Sequence, residues 1–119
     1  MSKKGFKELE VWKRSKDLTV KIYKLSGKGA LNRDFGLRDQ IRKSAVSIAS
    51  NIAEGDERNT DKESVRFLFI AKGSVAELRT QIQIAYEIDY IEKKVFEKID
   101  SECEILGKMI GKLIKVRKK

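Results

Sequence analysis

The chain contains no histidine. That absence removes the Glu-x-x-His pairs of di-iron bundles, Ser-His and Cys-His hydrolytic machinery, and histidine zinc sites. Cys103 is the only cysteine. One thiol can form neither an internal disulfide nor a multi-thiolate zinc or iron–sulfur site, and it points to a reducing, cytoplasmic setting. No stretch approaches the roughly 18 apolar residues that mark a membrane span. The first residues, Met1 to Phe6, lack the apolar centre of a signal peptide. Neither the Gly-x-x-x-x-Gly-Lys phosphate loop nor the Gly-x-Gly-x-x-Gly turn occurs. Proline is also missing, and without the strongest helix breaker long uninterrupted helices are permitted.

What is present suits an all-α protein. A length of 119 residues fits one domain with one core. Charged residues make up 38% of the chain and hydrophobic ones 40%, a mixture that gives helices with one apolar stripe and one solvated face. The net charge of +9 favours polyanionic partners and also serves solubility.

Four segments carry helical periodicity, over about 7–26, 34–54, 61–88 and 92–116. In the first, Val11, Ser15, Leu18, Ile22 and Leu25 alternate spacings of four and three. In the second, Leu37, Ile41, Ala45, Ile48 and Ile52 line one face, and Gly55 stands where a left-handed C-terminal cap is expected. The third opens on Thr60-Asp61-Lys62-Glu63, a capping box. Leu68, Ala71, Val75, Leu78, Ile82 and Ala85 then form a heptad seam. The fourth continues that spacing through Phe96, Ile99, Cys103, Leu106, Ile110 and Leu113, and Lys115 to Lys119 reads as a frayed basic end. Short connections make sequential helices antiparallel neighbours, which is the up-down antiparallel four-helix bundle. On the seam, Cys103 is a buried structural thiol.

The charge is unevenly distributed. Residues 1–28 hold nine basic and three acidic groups, and residues 91–119 hold nine basic and five acidic. Adjacent first and fourth helices would merge Lys13, Arg14, Lys21 and Lys24 with Lys108, Lys112, Lys115, Arg117, Lys118 and Lys119 into one positive face. Such a face attracts phosphates with little sequence preference, or is simply a solvated surface. Arg38, Arg42 and Lys43 add cations on the second helix; the two arginines are also placed to pair with Asp39 or other carboxylates.

Other features exceed what a minimal bundle needs. Phe67, Ile70, Ser74, Ile84 and Ile88 lie off the heptad seam, as a subunit interface or as a wide core face. Gly73-Ser74 falls in mid-helix, where glycine costs about 1 kcal/mol relative to alanine unless a helix approaches closely. Asn51 and Glu54 sit among apolar neighbours, in reach of loop amides and the adjoining helix. Glu54, Glu57 and Glu63 are the only basis for a carboxylate-bound magnesium site, and no cofactor is implied.

Three stretches together resemble a known family. They are Leu9-Glu10-Val11-Trp12, the run from Phe35 to Gly55 that ends Ser50-Asn51-Ile52-Ala53-Glu54-Gly55, and Phe67-Leu68 with Ala71-Lys72-Gly73-Ser74-Val75-Ala76-Glu77-Leu78. They are similar to the proteins encoded in intervening sequences of bacterial 23S rRNA genes. The resemblance covers nearly the whole chain. It implies a four-helix bundle assembled as a homopentamer, and kinship with the accessory variability protein of diversity-generating retroelements, a basic pentamer that binds nucleic acid and a reverse transcriptase. It carries over no catalytic residue. The sequence departs from the family pattern in having Lys43 and Ala49 where arginine and proline are frequent, which leaves the second helix straight.

The expectation is thus a non-enzymatic homo-oligomer that binds structured RNA or DNA through Lys13, Arg14, Lys21, Lys24, Arg38, Arg42, Lys43, Lys108, Lys112 and Lys115. Its oligomer contacts are Phe67, Ile70, Ser74 and Ile84, and its structural polar positions are Asn51, Glu54 and Gly55. The alternatives are a scaffold for a protein such as a polymerase, and a carboxylate-metal enzyme. No membrane partner is expected.

Overall fold

A computed structural model describes residues 5–118. A 3-10 turn, Phe6–Glu8, precedes α1 (Glu10–Ser26), a short α2 (Gly29–Arg33), α3 (Phe35–Glu57), α4 (Asp61–Glu87) and α5 (Lys93–Arg117). The four long helices pack as an antiparallel bundle measuring 48 × 21 × 19 Å. Burial follows the apolar spacing. Ile22, Ile41, Ile48, Ile52, Leu68, Leu78, Ile82, Leu106 and Ile110 are fully enclosed, and every member of the α4 heptad seam is buried.

Side chains fix the helix ends. Asp34 accepts the Leu37 amide at 3.1 Å to cap α3, and its other oxygen accepts the Tyr90 hydroxyl at 3.0 Å. One carboxylate thereby ties the α2–α3 corner to the α4–α5 turn, and this bond raises the Tyr90 pKa. In that turn Asp89 takes a left-handed φ of 64°, while the Tyr90 amide reaches back to the Ala85 carbonyl at 2.8 Å. Thr60 caps α4 by accepting the Glu63 amide at 3.2 Å. The Glu63 carboxylate lies beside Arg66 at 3.4 Å.

Several sequence expectations are corrected. The first helix begins at Glu10, after a separate turn, and the residues following Ser26 form α2. Gly55 does not end its helix: α3 continues to Glu57. Gly55 is buried where α4 crosses, and a Cβ there would lie 3.1 Å from the Ser64 carbonyl and 3.2 Å from Leu68 Cγ. It is glycine for close approach rather than for a left-handed cap. The basic end is helical through Arg117; Lys119 lies outside the described residues.

Arg117 is the reason. Its Nη2 donates to Asp56 Oδ1 at 2.8 Å, and its Nη1 donates to Ser64 Oγ at 2.7 Å and to the Gly55 carbonyl at 3.3 Å. Asp56 is 3% exposed at the side chain and Arg117 is 17% exposed. The end of α5 is thereby locked to the end of α3 and the start of α4.

Candidate nucleic-acid interface

The contacts between helices decide where the cations gather. α3 packs closely on α1 and α4, and α4 on α5, but α1 and α5 meet sparsely. Their main tie is Arg14, whose Nε and Nη2 each donate to Glu102 at 2.9 Å. That pair holds the Glu102 carboxyl below its ordinary range. Between the two helices lies an open groove of about 810 Å³ in which Lys21, Lys28 and Lys98 alternate with Glu10, Asp17 and Glu102. This groove is of mixed charge.

A second groove of about 800 Å³ runs between α4 and α5. Lys72 and Arg79 edge it from α4, Lys108, Lys112 and Lys115 from α5, and Lys118 from the end of α5; among the described residues Glu104 is the one acidic residue in its lining. Arg79 is engaged by Asp100 at 2.8 Å, and Lys108 lies 3.7 Å from Glu104. Lys72, Lys112, Lys115 and Lys118 have no carboxylate partner among the described residues. Gly107 and Gly111 thin the α5 wall.

The expected merger of α1 and α5 into one positive face is therefore not what the fold builds. α1 has 17 residues and α5 has 25. With Arg14 opposite Glu102, antiparallel α5 runs on past the start of α1. Lys108, Lys112 and Lys115 then find their cationic neighbours on α4. Lys13, Lys24 and Lys43 are exposed elsewhere. Arg38 and Arg42 are held by groups of α1, α2 and α3. Arg38 Nη1 donates to the Asn32 carbonyl and side chain at 3.2 Å, its Nε donates to Asp39 at 3.0 Å, and it lies over the Phe35 ring. Arg42 donates to Ser26 Oγ at 2.7 Å and to the Tyr23 carbonyl at 3.3 Å, closing the C-terminus of α1, and lies over the Tyr23 ring.

The polar positions also resolve. Asn51 donates to the Ser47 carbonyl and hydroxyl at 2.9 and 3.0 Å, and Glu54 pairs with Arg58. Both bond within their own helix or its end, not to the adjoining helix as expected. Ser74 is buried and shares a 2.8 Å hydrogen bond with Ser47 between α3 and α4, which takes it out of any exposed interface. Phe67 is half-buried between Arg58 and Arg66, with guanidinium carbons 4.4 and 4.5 Å from its ring centre. Ile70, Ile84 and Ile88 are each more than two-fifths exposed.

Among the described residues no group of three or more cysteine or acidic side chains is placed to hold a metal ion. Glu54, Glu57 and Glu63 do not converge; Glu63 faces Arg66. Cys103 is fully buried, and burial pushes its thiol up to about 12. No helix among the described residues is long and apolar enough to cross a membrane.

Comparison with known proteins assigns the chain. A family model for the 23S rRNA-intervening sequence protein matches residues 7–112. The chain belongs to that family. Its fold is shared with a Bacteroides thetaiotaomicron protein of unknown function from the S23 ribosomal protein family, whose crystal structure superposes with a TM-score of 0.81. The two are 24% identical over 88% of this chain and 98% of that one. No curated protein matches the chain. In the family stretch around Asn51 to Gly55, Ile52 is buried and Gly55 lets α4 approach. Lys72 and Phe69, which complete the α4–α5 groove with Lys118 of the basic end, were not among the residues expected from the sequence to bind. The signal for them was Gly107 and Gly111, spaced to open one face of a basic helix.

Proposed function

We propose that this family member is a non-enzymatic, homo-oligomeric cytoplasmic bundle that binds structured RNA or DNA through phosphate contacts. The observation that carries this reading is the α4–α5 groove, where Lys72, Lys112, Lys115 and Lys118 lack carboxylate partners among the described residues. Unpaired lysines release counterions when they meet phosphates, which gives sequence-tolerant, salt-dependent affinity. The family's description in terms of a 23S rRNA gene is consistent with RNA. Of the ten cations proposed from sequence, Lys112 and Lys115 are the strongest candidates, and Lys108 lines the same groove beside Glu104. Lys13, Lys21, Lys24 and Lys43 extend the basic surface, while Arg14, Arg38 and Arg42 are already engaged inside the fold.

The exposed isoleucines of α4 favour self-association, in the pentameric form that the family resemblance implies, with Phe67, Ile70 and Ile84 at the contact. The same patch supports a second reading, a scaffold for a protein partner such as a polymerase. Fluorescence anisotropy with a labelled rRNA hairpin and a DNA duplex of equal length, titrated at several salt concentrations, separates them. Micromolar or tighter binding that weakens steeply with salt supports the polyanion reading, and no binding to either probe at low salt overturns it in favour of the scaffold.

A further inference from the structure

The α4–α5 groove has a floor as well as charged edges, and the floor carries information about the ligand. Val75 and Ile114 line it but are already 4% and 5% exposed. Ala76, Gly107 and Gly111 add almost no side chain. Phe69 is different: it is 47% exposed, and the Lys118 ammonium lies 5.6 Å from its ring centre. The groove thus offers one accessible aromatic face in a cationic setting, and no other large apolar side chain with surface left to cover.

An acidic amphipathic helix would need several apolar anchors at successive turns, and the floor has a single partner for them. A duplex would hold its bases away from the Phe69 ring. A single strand uses what is there: a base stacks on Phe69, and its phosphates follow the lysines. Lys108, Lys112 and Lys115 succeed one another at spacings of four and three along α5, so their ammonium groups form one line about 5–6 Å apart at the Cβ atoms. One line of cations tracks one backbone. From Cys103 to Lys118 the α5 edge is roughly 22 Å long at 1.5 Å per residue, enough for a short unpaired segment.

We propose that the α4–α5 groove binds single-stranded nucleic acid, with Phe69 as the stacking platform and Lys72, Lys112, Lys115 and Lys118 as the phosphate contacts. This deepens the reading above and rests on it. Unpaired loops of structured RNA are then the part of the ligand that is gripped.

The test is anisotropy with a labelled 12-nucleotide oligo(dT) and a blunt-ended duplex of equal charge, at low and moderate salt, on wild type, Phe69→Ala, Phe69→Tyr and Lys112→Gln/Lys115→Gln. Base–aromatic stacking of the usual strength predicts that Phe69→Ala loses about 5- to 100-fold on the single strand. Phe69→Tyr should retain affinity, and the duplex should bind weakly to all variants. The lysine variant should lower the salt slope by about two phosphate contacts. Phe69 is exposed, so thermal melts should report all variants as folded. Equal affinity for strand and duplex with a silent Phe69→Ala overturns the groove assignment while leaving phosphate binding intact. Displacement of the strand by poly-glutamate at equal charge assigns the groove to acidic protein and also overturns it. No binding of either probe at low salt removes both this inference and the function beneath it.

Discussion

Replacing Arg117 by methionine should unfold this protein at a much lower temperature, although the position lies two residues from the C-terminus. The guanidinium donates to Asp56, Ser64 and the Gly55 carbonyl at 2.8, 2.7 and 3.3 Å. Methionine keeps the apolar stem and removes all three bonds. The Asp56 carboxylate, 3% exposed, would lose its ion pair with Arg117 where water cannot easily replace it. Breaking one side of a buried pair costs about 3–5 kcal/mol. With an unfolding entropy of about 2.1 cal/mol/K per residue, that is a fall in Tm of about 12–20 °C. Thermal melts followed by circular dichroism, with urea titrations for ΔG, measure it. Asp56→Asn should cost a similar amount, and the double variant Asp56→Asn/Arg117→Met less than the sum of the two, because the partners act as a unit. A fall of under about 3 °C for Arg117→Met, or additive single effects, would refute the reasoning and return the end of α5 to a frayed tail.

The Arg14–Glu102 pair predicts a pH dependence. The Glu102 carboxyl is depressed in the folded state by its hydrogen bonds to Arg14, so its contribution is complete above the ordinary glutamate pKa of 4.5 and is lost as pH falls below that through the folded value. Glu102→Gln should therefore flatten the stability profile in that acid window; identical profiles for wild type and Glu102→Gln would sink the assignment. Cys103, with its thiol pushed to about 12, should react with an alkylating reagent at pH 8 about a thousandfold more slowly than an ordinary thiol and freely once unfolded; fast labelling of the native protein would mean that α4 and α5 part readily. If the proposed assembly forms through α4, Ile70→Asp and Ile84→Asp should each reduce it to smaller species in sedimentation velocity, whereas Val116→Asp, exposed at the far end of α5, should not. An intact oligomer in both α4 variants would place the subunit contact elsewhere.

The sequence by itself determined the local structure. A missing proline, the 3-4 spacing of Leu68 to Ala85 and of Ile99 to Ile110, and the Thr60 cap specify long helices and their buried faces, because periodicity and capping are decided within a few residues. The bundle follows, since short loops leave antiparallel neighbours as the simplest way to cover four apolar stripes. Family membership was legible in the same residues. The secondary faces were not. Ser74 looked like part of an exposed line, yet the close α3–α4 approach turns it onto Ser47. Gly55 looked like a cap, yet its missing Cβ makes room for the Ser64 carbonyl and Leu68. Arg117 looked like a loose end, yet it meets Asp56 across 61 positions of chain. The lysines of α5 could be counted in the sequence, but their neighbours could not, because α1 stops short and α4 does not. Each of these outcomes depends on where one helix lies against another, and that is a property of the assembled bundle which no window of the chain contains.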